Sequence, residues 1–96
     1  MNRQATLRIL EQHKPHLASQ FGVVTLALFG STIRDSATAK SDVDVLVGFD
    51  GPATARRYFG VQFYLEDLLG RPVDLVTDKA LRAELRPSIE REAVHV

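Results

Sequence analysis

Apolar and β-branched residues are concentrated in three short runs along the chain, and each run is typical of a buried β-strand. The runs cover residues 23–29, 43–49 and 72–76. Glycine, aspartate and proline residues, which favour turns, bound these runs. We therefore predict three strands over these residues.

Amphipathic spacing at the start of the chain predicts a helix over residues 3–12, with Asn2 as its N-cap. Pro15 is predicted to interrupt this helix because proline lacks the backbone N–H that an interior position needs. Residues 16–21 are predicted to form a further turn or two, closed by Gly22 as a C-terminal cap.

The longest helical segment is predicted over residues 53–69, ending at Gly70. Gly60 weakens it by up to about 1 kcal/mol relative to alanine. Aromatic residues come in adjacent pairs at 58/59 and 63/64, so one member of each pair is expected outside the core, where it is available to a partner. The predicted apolar face consists of Ala55, Phe59 and Phe63 with an adjoining stripe of Tyr58, Leu65, Leu68 and Leu69.

Two further helices are predicted near the end of the chain. Thr77 or Asp78 is placed to cap a helix that runs through Leu85. Pro87 is placed to begin a last helix, since proline is favoured in the first helical turn, and that helix runs to about Ala93.

Between the first two strands, residues 31–34 are predicted to form a short helix and residues 35–41 a polar loop. Helices therefore alternate with only a few strands along the chain. This order predicts an α/β (α+β) fold in which helices flank a small mixed β-sheet. The length of 96 residues fits a single domain over residues 1–96.

The composition argues against several classes of protein and site. Twelve Lys and Arg balance twelve Asp and Glu, so no broad basic surface is expected and direct nucleic-acid binding is not predicted. The absence of cysteine excludes disulfides and thiolate metal sites. No apolar segment approaches the length of a membrane span or resembles a signal peptide, so we expect a soluble cytoplasmic protein without a membrane partner.

Asp42 and Asp44 stand at the start of the second apolar run. In a strand, positions i and i+2 share a face, which places their Cα atoms about 7 Å apart. Two carboxylates at that range repel by roughly 2.5 kcal/mol at an effective dielectric near 20, and a divalent cation would relieve this repulsion. The alternative is a capping or solvent-exposed pair. A calcium-binding loop is excluded because Leu46 occupies its third ligand position.

Gly30 and Ser31 follow the first predicted strand and precede the short helix. Backbone N–H groups at such a turn suit a phosphate group, and glycine permits close approach because it has no Cβ. The alternative is a tight turn in which Ser31 is an ordinary N-cap.

Asp74 lies between aliphatic residues in the third predicted strand, where an unpaired buried carboxylate would be costly. If this strand pairs beside residues 43–49, Asp74 completes a cluster of three carboxylates that suits two divalent ions about 4 Å apart. The alternative is an exposed edge residue, paired with Arg71.

Together these segments resemble the minimal nucleotidyltransferase (MNT) family of the DNA polymerase beta-like nucleotidyltransferase superfamily. The resemblance extends over nearly the whole chain and implies a nucleotidyltransferase-like core. The similar segments are Phe29-Gly30-Ser31, residues 41–47 (Ser-Asp-Val-Asp-Val-Leu-Val), residues 70–76 (Gly-Arg-Pro-Val-Asp-Leu-Val) and residues 89–94 (Ile-Glu-Arg-Glu-Ala-Val).

The resemblance implies a role for each candidate residue. Gly30 and Ser31 would hold the triphosphate of ATP, and Asp42 and Asp44 would bind two Mg²⁺ ions. Asp74 would bind the catalytic metal and help to activate the attacking hydroxyl group.

Arg34 is a further candidate for nucleotide binding, because it falls one turn after the Gly-Ser pair, and Lys40 is a weaker one. Many members of the family have a basic residue directly after that pair, where this chain has Thr32. The identity of the cation that contacts the triphosphate is therefore open, and solvated surface is the alternative for both basic residues.

The resemblance also implies a partner. MNT proteins are the antitoxin halves of toxin–antitoxin pairs, so the partner would be a HEPN-type ribonuclease toxin, silenced by transfer of AMP from ATP to one of its tyrosines. The alternative is a non-catalytic antitoxin that neutralises its partner by direct association. Transfer to a small molecule is a third hypothesis, for which the chain is short. Self-association as a homo-oligomer is left open.

The histidines are predicted to lie away from this site. His13 and His16 are expected to be surface residues at a helix end, and His95 is expected to be peripheral.

Overall fold

The computed structural model describes residues 2–34 and 42–96, within which four strands form one mixed sheet in the order β3-β2-β1-β4. Strand β1 runs antiparallel to both β2 and β4, whereas β2 and β3 are parallel. The three predicted strands are confirmed, the third with a shift of one residue. The strands are β1 (Val23–Phe29), β2 (Val43–Phe49), β3 (Val73–Thr77) and β4 (Val94–His95).

Helices flank this sheet, which confirms the predicted α/β (α+β) class. None of the helices in the described part of the chain is long and apolar enough to cross a membrane. The loop predicted over residues 35–41 lies outside the described residues. The helices are α1 (Arg3–Phe21), α2 (Gly30–Ile33), α3 (Ala55–Leu69) and α4 (Arg86–Glu92).

Helix α1 continues through Pro15, so the predicted interruption is wrong. Leu10 and Leu17, on either side of the proline, are completely buried. Burial of each leucine contributes roughly 1.5–3 kcal/mol, which offsets the cost of about 3 kcal/mol for an interior proline. Both predicted caps are confirmed: the Asn2 side chain accepts from the Ala5 N–H at 2.8 Å, and Gly22 is left-handed at φ 73°.

The two faces of the sheet are covered differently. The main core lies between one face and helices α1 and α3, and alternate residues of β2 and β3 point into it. A smaller cluster on the other face is completed by Leu81 and Ile89 of the C-terminal segment. Main-core residues from β2 and β3 are Val43, Val45, Val47, Phe49, Val73 and Leu75; the smaller cluster contains Ala27, Phe29 and Leu46.

Helix α3 buries a different face from the predicted one. Its buried residues are Val61, Leu65 and Leu69, whereas Phe59 and Phe63 are 48% and 59% exposed. The predicted face through Ala55, Phe59 and Phe63 is therefore wrong, although Leu65 and Leu69 of the adjoining stripe are in the core. The close approach of α1 explains Gly60, because a Cβ there would lie 2.3 Å from the ring of Phe21.

The other two aromatic residues of α3 contact the protein interior, which confirms that one member of each pair lies outside. The Tyr58 hydroxyl donates to the Leu75 carbonyl at 2.5 Å. The Tyr64 hydroxyl oxygen lies 2.6 Å from Nδ1 of His13, and the His16 ring stacks on Tyr64 at a centroid distance of 5.2 Å. His16 is exposed as predicted, but His13 is half-buried.

The helix predicted from Thr77 or Asp78 to Leu85 is wrong, because the segment forms turns. These turns place Leu81 in the smaller cluster on the sheet. The Arg86 guanidinium donates to the carbonyls of Asp78 (2.8 Å) and Leu81 (3.4 Å), so a side chain from outside the segment satisfies groups that a helix would otherwise pair.

The end of the chain returns to the sheet. Helix α4 confirms the helix predicted from Pro87, and β4 follows it directly. Strand β4 pairs with β1 through Ala27↔His95 and Leu28↔Val94, and the Val96 N–H donates to the Leu26 carbonyl at 3.0 Å. Two residues are too short for a periodic signal, so sequence patterning misses this strand.

Candidate active site

Asp44 and Asp74 are neighbours on adjacent strands. Parallel pairing of β2 with β3 places the two residues directly in register, about 4.8 Å apart across the sheet. The residues before and after each aspartate point into the main core, so both carboxylates lie on the opposite face. The pairing on which the three-carboxylate hypothesis depends is thus present. Strand β3 is also the edge strand and Asp74 is exposed, as the alternative interpretation expected.

Gly30 lies against the carboxylate of Asp44. Strand β1 ends at Phe29, which is in register with Asp44, and Gly30 turns the chain with φ 73°. A Cβ atom at Gly30 would lie 2.0 Å from Oδ2 of Asp44 and 2.7 Å from its Cγ. Any other residue would therefore displace the carboxylate, so the glycine is required by contact as well as by backbone conformation.

Asp42 lies at the same end of the sheet. It precedes β2 by one residue and is exposed. The next residue, Val43, donates its N–H to the Pro72 carbonyl at 2.9 Å, so the contact between the two strands extends to their first residues. Strand pairing thus brings Asp42, Asp44 and Asp74 to one end of the sheet, beside Gly30.

The chemistry of these donors fits magnesium. Mg²⁺ prefers hard oxygen ligands, and it is usually held by one or two carboxylates together with waters and substrate phosphates. Among residues 2–34 and 42–96, no three Asp, Glu, His or Cys side chains lie close enough to hold a metal ion as a ready-made group. In a magnesium site of this kind, waters and phosphate oxygens supply the remaining ligands.

Helix α2 supplies the remaining candidates. The backbone of Ser31 lies in this helix directly after Gly30, and Arg34 follows its last residue. The exposed Arg34 guanidinium forms an ion pair with Glu92 of α4. Sequence reasoning misses Glu92 because the pair joins residues 58 positions apart, which leaves no local pattern. Contact between Arg34 and phosphate stays a prediction, and Lys40 lies outside the described residues.

Thr32 occupies the position where many MNT proteins have a basic residue. Its side chain is only 2% exposed, and its hydroxyl has no hydrogen-bond partner within the described part of the chain. A side chain buried in this way is not a surface contact for phosphate.

A family model described as a nucleotidyltransferase domain matches residues 10–96, a range that includes every candidate residue above. This chain belongs to the nucleotidyltransferase domain family. The resemblance found in the sequence is confirmed, and the chain is a nucleotidyltransferase.

Relatives of this nucleotidyltransferase support the assignment. Protein adenylyltransferase MntA of Thermococcus cleftensis is 40% identical over 88 residues, which cover 92% of this chain and 89% of the relative. A solved structure assigned as a minimal nucleotidyltransferase superposes with a TM-score of 0.81 at 35% identity, covering 98% of this chain and 95% of the other.

A more distant structure shares the fold alone. It contains a tri-AMPylated HEPN toxin of Shewanella oneidensis in complex with an MNT antitoxin. The similarity has a TM-score of 0.69 at 16% identity and covers 97% of this chain and 70% of the other.

Proposed function

We propose that this nucleotidyltransferase moves AMP from ATP to a tyrosine hydroxyl on a partner protein, in a Mg²⁺-dependent reaction. The observation that supports this most directly is the register pair of Asp44 and Asp74, with Gly30 in contact with one carboxylate. The name of the Thermococcus relative, protein adenylyltransferase, supports the same class of acceptor.

Asp42, Asp44 and Asp74 would hold two Mg²⁺ ions. When bound, the ions neutralise charge on the attacking oxygen and on the departing pyrophosphate. Without a cation, the register pair places two like charges in adjacent positions across the sheet, which is unfavourable.

The other residues would position the nucleotide. The backbone at Gly30 and Ser31 would hold the triphosphate, and Arg34 would add a cationic contact after leaving Glu92. The acceptor hydroxyl oxygen forms a bond to the α-phosphorus while the bond from that phosphorus to the β-phosphate bridging oxygen breaks, and pyrophosphate leaves. Asp74 would help the acceptor hydroxyl to lose its proton. Positioning and electrostatic stabilisation account for most of the acceleration in such a transfer.

The acceptor in this proposal is a HEPN-type toxin, and the chain acts as its antitoxin. The shared fold with the MNT antitoxin that accompanies a tri-AMPylated HEPN toxin supports this partner. A protein acceptor can bring its own docking surface, so the transferase needs no separate substrate-binding domain.

The test is transfer in vitro. The purified chain is incubated with ATP, Mg²⁺ and a HEPN protein encoded beside it, and intact mass spectrometry measures the toxin. We expect the toxin to gain the mass of one or more AMP units, located on tyrosine by peptide analysis. Asp44→Asn and Asp74→Asn should each slow transfer by about two orders of magnitude or more.

Glu11→Gln is the matched control, because it also converts a carboxylate into an amide. Glu11 is exposed on α1, which packs on the opposite face of the sheet from Asp44. This variant should keep the wild-type rate. Absence of any mass gain with the wild-type chain, or undiminished transfer by Asp44→Asn, would contradict the proposal.

The competing hypothesis is an antitoxin that neutralises its partner by direct association, without chemistry. The double variant Asp42→Asn/Asp44→Asn discriminates. If it still protects cells from the toxin at equal abundance, association suffices; if protection is lost while the complex still forms, catalysis is required.

A further inference from the structure

The solvent-facing side of α3 has an exposed ridge formed by Arg56, Phe59, Phe63 and Asp67. All four side chains are exposed, and their spacing of three or four residues places them on one side of the helix. The two phenylalanine rings stack on each other, with centroids 6.1 Å apart and an interplanar angle of 23°. We call these four residues the α3 ridge.

Two adjacent phenylalanines that are about half exposed need an explanation. Scattered exposed apolar residues are ordinary, but contiguous exposed aromatic surface marks interaction sites. The opposite side of the same helix is already buried through Val61, Leu65 and Leu69. The ridge is therefore extra apolar surface that the helix does not need for its own packing.

The acceptor of the transfer reaction does not account for this surface. Helix α3 packs on the sheet face that contains the main core, whereas Asp44 and Asp74 lie on the other face. An acceptor hydroxyl must reach the carboxylates, so its protein docks on the face away from the α3 ridge. The ridge is left available to a different occupant.

The charges at the ends of the ridge indicate what that occupant is. Arg56 lies at the N-terminal end and Asp67 at the C-terminal end, and neither has an ion-pair partner within residues 2–34 and 42–96. The charged pair and the phenylalanine pair are centred at the same level along the helix, which is the level of Val61 on its buried side. A surface with this arrangement is complementary to itself after a two-fold rotation.

We propose that the α3 ridge is the interface of a homodimer, in which the α3 helices of two copies pack antiparallel around a two-fold axis that runs between the two ridges, midway between Phe59 and Phe63. At 1.5 Å of rise per residue, Arg56 and Asp67 are separated by about 16 Å along the helix. Antiparallel packing brings Arg56 of each copy level with Asp67 of the other, and the four phenylalanines meet between the two ion pairs. The carboxylate faces of both copies point outward and stay accessible.

Analytical ultracentrifugation over a concentration series tests the proposal. The wild-type chain should sediment as a dimer at high concentration. Phe63→Asp should be monomeric, because it buries an unpaired charge at the centre of the interface. Arg56→Asp alone and Asp67→Arg alone should each weaken dimerisation about tenfold or more, because each replaces both attractive pairs with repulsive ones.

Mixing the two single variants tests whether the charges at the ends of the ridge pair between copies. In a 1:1 mixture, one copy presents two aspartates and the other two arginines, so both end pairs become attractive and a heterodimer should form. The double variant Arg56→Asp/Asp67→Arg should also recover self-association. A parallel arrangement would place Arg56 beside Arg56 and Asp67 beside Asp67, so each single charge variant would only exchange one like-charge pair for another and would not weaken self-association. Circular dichroism of each variant separates loss of dimerisation from loss of folding.

Two results would overturn the proposal: a wild-type chain that stays monomeric at high concentration, or a dimer that both single charge variants leave unchanged. If the wild-type chain is monomeric and Phe63→Asp no longer binds the toxin, the ridge is assigned to the toxin. Failure of the dimer proposal can be told apart from failure of the proposed AMP transfer, because Phe63→Asp should abolish dimerisation and still transfer AMP at the wild-type rate.

Discussion

Replacement of Gly30 by alanine is the sharpest local test of the site geometry. The residue has φ 73°, and an alanine in this left-handed conformation costs roughly 1–2 kcal/mol. The new Cβ would also lie 2.0 Å from Oδ2 of Asp44, so the carboxylate must move by about 1 Å or more. Forcing a side chain off its preferred rotamer costs a further 0.5–1.5 kcal/mol or so.

We therefore expect Gly30→Ala to lower the free energy of unfolding by about 2–3 kcal/mol. For a domain of this size each kcal/mol shifts the melting temperature by roughly 4–8 °C. A displacement of about 1 Å in a catalytic group typically costs about 100-fold in rate, so AMP transfer should fall by about that factor.

Gly70 provides a matched control on the same backbone conformation. It has φ 66°, and among residues 2–34 and 42–96 nothing beyond Gly70 and its immediate chain neighbours lies within 4 Å of the position that its Cβ would occupy. Gly70→Ala therefore has the conformational cost without the collision, and alanine restricts the unfolded chain equally in both variants. Its loss of stability should be smaller by the cost of moving Asp44, and its transfer rate should be that of the wild type.

Thermal unfolding of the three proteins, followed by the transfer assay at a temperature where all are folded, makes the comparison. A second readout is the rise in melting temperature on addition of ATP and Mg²⁺, which reports binding without turnover. If Gly30→Ala and Gly70→Ala lose the same stability and both retain full activity, Gly30 does not position Asp44 and the geometric argument fails.

Three further predictions follow from other contacts. Gly60→Ala should destabilise the protein in urea unfolding, although alanine is the better helix former by about 1 kcal/mol, because its Cβ would collide with Phe21; a gain in stability would refute this. Thr32→Val should raise stability by roughly 1 kcal/mol, since it removes a buried hydroxyl that has no hydrogen-bond partner among the described residues, and a lower melting temperature would contradict that account. Glu92→Gln should lower the KM for ATP if the freed Arg34 contacts the triphosphate, and an unchanged KM would leave Arg34 as surface.

Local sequence was sufficient wherever the determining interaction is local. Strands β1 and β2 are found at their predicted bounds, because apolar β-branched runs ended by turn residues have few alternatives. The caps at Asn2, Gly22 and Gly70 follow from single residues and their immediate backbone. Asp42, Asp44 and Gly30 were identifiable as candidate site residues for the same reason, because their spacing along the sequence is what marks them.

Tertiary structure decided everything that depends on distant residues. Asp74 became a neighbour of Asp44 only through the register of β3 on β2, and Arg34 met Glu92 only because α4 packs beside α2. Burial of leucines on the sheet kept α1 helical through Pro15.

The aromatic residues of α3 show the division most clearly. Sequence predicted that one member of each pair lies outside the core, but the rotation of the helix against the sheet determined that Phe59 and Phe63 are the exposed ones. The physical reason is that helical periodicity identifies an apolar stripe on a helix but not the surface against which the stripe packs. That surface is formed by strands that are distant in the sequence. The sequence by itself thus determined β1, β2, the helix caps and the candidate site residues, whereas packing determined the remaining elements and which of the candidate residues meet.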